Sequence, residues 1–194
     1  MFPGGDRPPT EVKFGVWRCA ICGEVYFGEK RPSQCPNCGS AAENLVRPDA
    51  VLAERDNISA LLTAVESKNL TTSVMMETGD IDFYGRMAKV KGPDDMQAEY
   101  EKLGKIEGEH QELFLRLLGT PDAKPKVVPL ELGDTWNGSI SMSIVREKHA
   151  SLMYHEFALS ATHPRLRQVW AALSRVEMEH SVFETEQLLT LKAI

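Results

Sequence analysis

The stretches KIEGEHQELF (Lys105–Phe114) and RVEMEHSVFE (Arg175–Glu184) each set Glu-x-x-His inside a helix-forming, amphipathic sequence. Residues three apart share one face of a helix, so Glu107 and His110 project together, as do Glu177 and His180. Both pairs fall on apolar stripes. Tyr100, Leu103, Phe114 and Leu118 flank the first, and Trp170, Leu173 and Leu188 flank the second. A carboxylate on a core-facing stripe is costly to bury unless it is paired or bound to a cation. Two such pairs on facing helices predict a metal site in the middle of a helical bundle.

A di-metal carboxylate site of that kind takes one further acid from each of the other two helices. A helix over about 57–91 carries Leu70, Val74, Ile81, Tyr84 and Ala88 on one stripe and offers Glu77 at its centre. A helix over about 139–162 offers Glu147 among Ile140, Ile144, Ala150, Tyr154 and Ala158, with His149 and Glu156 as alternatives. The helix of the first motif starts at Asp94-Asp95, after Gly92-Pro93, and stops at Gly119-Thr120-Pro121; acids in a first turn suit the helix dipole. Residues 119–138, GTPDAKPKVVPLELGDTWNG, form a long crossover. The fourth helix follows His163-Pro164 and runs nearly to the end of the chain. One long connection between the second and third helices is the ferritin-like topology. The expected ligand set is Glu77, Glu107, His110, Glu147, Glu177 and His180. Tyr154, and more weakly Tyr84, stand where a phenol reaches the pocket or hydrogen-bonds a ligand carboxylate. Asp80 reads as a solvated acid or one supporting a ligand, and His155 and His163 as surface residues.

All four cysteines lie in WRCAICGEVYFGEKRPSQCPNCGS, as Cys19/Cys22 and Cys35/Cys38. Each Cys-x-x-Cys is followed by glycine, Gly23 and Gly39, which fits two tight turns whose thiolates converge on one ion. Four thiolates suit zinc and iron alike. Zinc would make a structural knuckle and iron a one-electron relay.

Composition narrows the rest. The 194 residues are 42% hydrophobic and 26% charged, with 22 basic against 28 acidic side chains and a net charge of −6. That balance, without a basic run, argues against nucleic acid or an anionic membrane surface as a partner. No apolar run is long enough to span a membrane, and MFPGGDRPPTEVKFG has neither the basic start nor the apolar core of a secretory signal, so the expected location is cytoplasmic.

ETGDIDFYGRMA, EGEH, MYHEFA and EMEH on the four helices, with Trp17-Arg18, CGEVY and CPNCG around the cysteines, resemble the rubrerythrin family over nearly the whole chain. The resemblance implies a mainly α protein, a ferritin-like four-helix bundle (48–194) preceded by a small rubredoxin-like metal ribbon (12–47). It also implies a di-iron site in the bundle, iron in the four-cysteine site with zinc as the alternative, and reduction of hydrogen peroxide. A diferrous pair supplies the two electrons of that reduction, and the ribbon restores them from a reductase or small redox protein. A single subunit is expected to hold its ribbon far from its own bundle site, so a homodimer that pairs one chain's ribbon with the other's bundle is implied. Two departures stand out. The ribbon comes first here, whereas ordinary rubrerythrins carry it last. The family's third helix bears two ligand glutamates one turn apart; aligning Met153-Tyr154 puts Arg146 and His149 there, and a shift of one residue gives Glu147 and Ala150. The extra carboxylate linked to peroxidase behaviour is absent in either register. A dioxygen-using oxidase or iron-handling protein, and a non-enzymatic bundle with a zinc ribbon, are the rival readings.

Overall fold

A computed structural model describes residues 15–28, 30–47, 56–90, 92 and 94–192. Pro48 and Asp49, expected as part of a linker, and Lys91 and Pro93, expected at a helix end, lie outside the described residues. Three short strands, β1 (Gly15–Cys19), β2 (Val25–Gly28) and β3 (Leu45–Val46), pair antiparallel in the order β2-β1-β3. Four helices follow: α1 (Ala64–Met87), α2 (Asp94–Leu118), α3 (Trp136–Ser160) and α4 (Pro164–Lys192). The mainly α architecture, a helical bundle preceded by a rubredoxin-like ribbon, is as expected. No helix among the described residues is long and apolar enough to cross a membrane.

The helix ends follow local chemistry. The first helix starts at Ala64, later than the apolar pattern suggests, because Thr63 and Glu66 form a reciprocal capping box: Thr63 Oγ1 accepts from the Glu66 amide at 3.2 Å and Glu66 Oε2 accepts from the Thr63 amide at 2.9 Å. The preceding Ser59–Leu61 form only a 3-10 turn. The third helix starts three residues earlier than expected, at Trp136, with Thr135 accepting from the Gly138 amide at 3.0 Å. Pro164 opens α4, at a position where its missing N–H costs nothing.

Helices α1 and α2 form one hairpin and α3 and α4 the other. The 119–135 crossover joins them and lies along α1, where Leu130 receives Arg86 on its carbonyl and its amide reaches Asp82 at 3.4 Å. The apolar interior is in two clusters. One holds Leu70, Val74, Leu113, Phe114, Tyr154, Trp170 and Leu173 and continues into the ribbon through Ile21 and Leu45. The other holds Phe83, Tyr84, Met87, Tyr100, Ile140 and Ile144. Along every helix the expected ligands fall between the two. The site is thus a polar layer between apolar ones, where buried charge must be balanced internally.

Candidate di-metal and thiolate sites

Glu77, Glu107, Glu147 and Glu177 are each at most 2% exposed, His110 is fully buried and His180 is 8% exposed. Their donor atoms form two four-membered groups, Glu77/Glu107/His110/Glu177 and Glu107/Glu147/Glu177/His180, each within 4.8 Å. His110 Nδ1 stands 2.9 Å from Glu107 Oε2, 3.2 Å from Glu177 Oε1 and 3.9 Å from Glu77 Oε1. His180 Nδ1 stands 3.1 Å from Glu107 Oε1, 3.2 Å from Glu177 Oε2 and 3.7 Å from Glu147 Oε2. Glu107 and Glu177 therefore offer one oxygen to each group, and Glu77 and Glu147 close the two ends. Each group would hold one ion, with Glu107 and Glu177 contributing to both.

The donor chemistry fits. Glu107 Oε1, both Glu177 oxygens and His180 Nδ1 are buried without a well-formed hydrogen bond. Four carboxylates balance two divalent ions, with neutral imidazoles completing the ligand set. Without ions, burial and then the neighbouring carboxylates push Glu77 and Glu147 well above the usual carboxylate range. Burial would raise Glu107 too, but His180 and His110 beside it hold it low. Burial alone would lower both histidines, and the adjoining carboxylates instead raise them well above an ordinary imidazole.

The structure separates the third-helix alternatives: Glu147 is buried in the site, whereas His149 and Glu156 are exposed. Ala150 is a buried methyl in the wall, so no acid stands one turn beyond Glu147. His155 is exposed as expected, but His163 is half-buried and accepts the Arg165 amide at 3.2 Å. Asp80 is not solvated: it is 7% exposed and receives Arg146 Nε at 2.6 Å. Even so, burial outweighs the guanidinium and lifts its carboxyl to about 7.

Both tyrosines hydrogen-bond ligand carboxylates, and they do so across the bundle. Tyr84 of α1 donates to Glu147 of α3, and Tyr154 of α3 donates to Glu77 of α1. Burial, reinforced by those carboxylates, keeps both phenols neutral. The exchange exposes a repeat larger than Glu-x-x-His. Glu77, Tyr84, Glu107 and His110 recur 70 positions on as Glu147, Tyr154, Glu177 and His180 (147 − 77 = 154 − 84 = 177 − 107 = 180 − 110 = 70). Comparing the two hairpins at that offset singles out both tyrosines from the sequence. It also leads to Glu184, fully buried one turn beyond His180 and outside the Glu-x-x-His motif.

In the ribbon, Cys19 Sγ and Cys38 Sγ are 3.8 Å apart, as are Cys22 Sγ and Cys35 Sγ. Sulfurs about 2.3 Å from a tetrahedral ion are about 3.8 Å from one another, so the four thiols are spaced for one. Gly23 and Gly39 have φ of 91° and 71°, and their amides close the turns on Cys19 O and Cys35 O at 3.1 and 3.0 Å. The Ile21 amide points at Cys19 Sγ at 3.4 Å and Asn37 Nδ2 at Cys22 Sγ at 3.7 Å. Such donors stabilise thiolate charge and tune a bound metal.

The ribbon rests on its own bundle, contrary to the expected separation. Cys38 O lies 3.1 Å from His110 Nε2, on the far side of the imidazole from the carboxylates. Asn37 Nδ2 donates to Glu109 at 2.9 Å and Arg116 donates to Cys22 O at 3.0 Å. Buried Arg165 donates to Ala20 O at 2.8 Å and to Ile21 O. At Gly39 the approach is so close that a Cβ would stand 3.0 Å from Val176 Cγ1.

Residues 17–45 match the family model described as the rubredoxin-like domain of rubrerythrin. The chain is also similar to reverse rubrerythrin-1 of Clostridium acetobutylicum, at 24% identity over 111 residues. Over these residues the ribbon is similar to a rubrerythrin rubredoxin-like domain, and here it precedes the four helices. The match to the clostridial protein takes in 53% of this rubrerythrin-like chain and spans 61% of the relative's length. No solved structure matches the chain at comparable stringency.

Proposed function

We propose that the chain is a non-haem di-iron peroxidase that reduces hydrogen peroxide to water, with electrons relayed through iron in the four-cysteine ribbon. The observation that carries this reading is the 3.1 Å contact between Cys38 O and His110 Nε2. It links a thiolate ligand of one site to an imidazole ligand of the other through one peptide and one hydrogen bond.

Glu77, Glu107, His110, Glu147, Glu177 and His180 would hold the iron pair, and Cys19, Cys22, Cys35 and Cys38 the single iron. Bound iron supplies the two electrons that O–O cleavage consumes. The chain's own contribution is placement. The Cys38 carbonyl accepts from His110 Nε2–H and leaves Nδ1 facing the carboxylates, where it would serve as a ligand. Tyr84 and Tyr154 hold the terminal carboxylates from opposite sides. A cleft of about 360 Å³ between α2 and α4, lined by Leu103, Ile106, Val176, Phe183 and ribbon residues Gln34 and Gly39, reaches His180 and offers a small oxidant an approach to it.

Exposed Val145, Leu152 and Leu159, seven residues apart on α3, support a homodimer, since apolar residues at that spacing form one stripe suited to a second helix. The electron donor in this reading is a reductase or small redox protein. Ala150, in place of a second acid, favours a second reading in which dioxygen is the oxidant.

Rapid mixing separates these readings. Reduced, iron-loaded protein is mixed with peroxide or dioxygen while the ferric-thiolate colour is followed. Faster return with peroxide is expected; faster return with dioxygen favours the oxidase, and no colour despite iron in the bundle makes the ribbon a zinc knuckle. Glu107→Ala and Glu177→Ala are each expected to abolish the fast return and leave the ribbon's colour intact.

A further inference from the structure

The 70-residue repeat also pairs Tyr100 with Trp170 (170 − 100 = 70), but the rings are connected differently in the two halves. Tyr84 and Tyr100 stack directly, with centroids 5.8 Å apart, and the Trp136 ring meets Tyr100 edge-on at 5.5 Å. In the other half the ring that touches both counterparts is Phe157, 6.5 Å from Tyr154 and 5.4 Å from Trp170. A phenol lies close to an indole in the energy needed to remove an electron, and a phenylalanine ring lies far above both. Tyr84, Tyr100 and Trp136 therefore form an unbroken line of oxidisable rings outward from the Glu147 carboxylate, whereas Tyr154 is cut off from Trp170 by a ring that does not take part.

The line ends near the surface. Trp136 is half-buried at the first residue of α3, whereas Trp170 is fully buried in the core. Gly92 makes room for the indole, since a Cβ there would stand 2.8 Å from Trp136 Cδ2 and Cε3. Among the described residues neither the Tyr100 hydroxyl nor Trp136 Nε1 has a hydrogen-bond partner of normal geometry. A phenol sheds its proton on oxidation and needs a base to receive it, while an indole loses an electron and keeps its N–H. An oxidising equivalent entering this line therefore comes to rest on Trp136 and not on Tyr100.

Electron counting gives such a line a use, which rests on the peroxidase reading. Fully reduced, the chain would hold an odd number of electrons, two in the bundle and one in the ribbon, and each peroxide takes two. After one turnover the next peroxide meets a single electron, and its one-electron cleavage would release hydroxyl radical among the ligands. We propose that Trp136 supplies the missing electron, through the rings of Tyr100 and Tyr84. The step balances: H2O2, two protons from solvent, one electron from iron and one from Trp136 give two waters and leave the indole as a one-electron-oxidised cation. Tyr84 and Tyr100 keep their protons throughout.

The test mixes fully reduced, iron-loaded protein with peroxide, without further reductant, and reads frozen samples by electron paramagnetic resonance. One peroxide per chain is expected to give no organic radical. Excess peroxide is expected to give one whose hyperfine structure changes with ring-deuterated tryptophan and not with ring-deuterated tyrosine. W136F is expected to lose that signal and to release more spin-trapped hydroxyl radical, with the ribbon's colour returning as in wild type. Y100F should lose most of the signal, and W17F and W170F should keep it. Should W136F not fold, peptide mass spectrometry of the oxidised wild type decides, with added oxygen expected on Trp136 ahead of Trp17 and Trp170. A radical already present after one peroxide, a tyrosine signal, a signal that survives in W136F, oxidation mapped to another tryptophan, or no radical with excess peroxide overturns the proposal. The peroxidase reading fails separately. Protein inert to peroxide that forms the Trp136 radical with dioxygen, whose four electrons also exceed those held, loses that reading and keeps the aromatic line; protein inert to both oxidants loses both.

Discussion

In the metal-free chain, protons do what cations would otherwise do. Glu77, Glu147, His110 and His180 all have affinities for protons raised above ordinary values. Each of the four thus holds its proton more firmly than an ordinary carboxyl or imidazole, and a divalent ion must displace any such proton, because only carboxylates and neutral imidazoles serve as ligands here. Binding is therefore expected to release protons, and affinity to fall as pH falls. Calorimetry of iron(II) or manganese(II) binding in buffers of different ionisation enthalpy counts those protons, and pH-independent binding would remove these residues as ligands. The ligands were legible in the sequence because a glutamate on an apolar stripe needs a reason, and Glu-x-x-His twice supplied it. Glu184 was not, because a single glutamate near the end of a helix carries no such pattern until the 70-residue offset sets it against Phe114.

At the scale of elements, Glu66 ties two helices together. Its Oε2 serves the α1 capping box, and its Oε1 accepts from the Thr162 amide and hydroxyl and the His163 amide, each at 2.9 Å, at the entry to α4. Burial works against its charge, but the donors from Thr63, His163 and Thr162 prevail and bring the carboxyl down to about 2 from 4.5. A folded value below the unfolded one means stability that is present above about pH 4.5 and lost as pH falls toward 2, on the order of 2–3 kcal/mol. Thermal melts of wild type and Glu66→Gln should thus differ by several degrees at pH 7 and converge only near pH 2; a gap that persists there would show that packing, not charge, sets the role of Glu66. Periodicity placed the four helices, yet it ran the first one several residues too early. The apolar pattern continues through Ile58 and Leu62, and only the Thr-x-x-Glu cap says where the backbone turns helical.

Whether the ribbon and bundle act together is settled by their junction, which the sequence left illegible: the polar side chains that make it, Asn37, Glu109, Arg116 and Arg165, look like surface residues in any periodicity plot. Arg165 is the central one. It is 7% exposed, with Nε on Asp56 at 2.7 Å and its two terminal nitrogens on the Ala20 and Ile21 carbonyls inside the first Cys-x-x-Cys turn. Removing it takes the guanidinium away from the Ala20 and Ile21 carbonyls and from Asp56, a loss of about 2–4 kcal/mol in docking. The four thiols would keep their spacing, because it is set by the ribbon's own turns at Gly23 and Gly39. Arg165→Ala is therefore expected to retain the ferric-thiolate spectrum and the bundle's metal content while slowing return of the colour after oxidant is added. The cause is a Cys38 carbonyl that no longer rests on His110. Arg165→Lys, which keeps the charge but cannot span both carbonyls and Asp56, should fall between. Return at the wild-type rate in Arg165→Ala would mean that electrons reach the bundle by a route other than this junction, such as the ribbon of a second subunit.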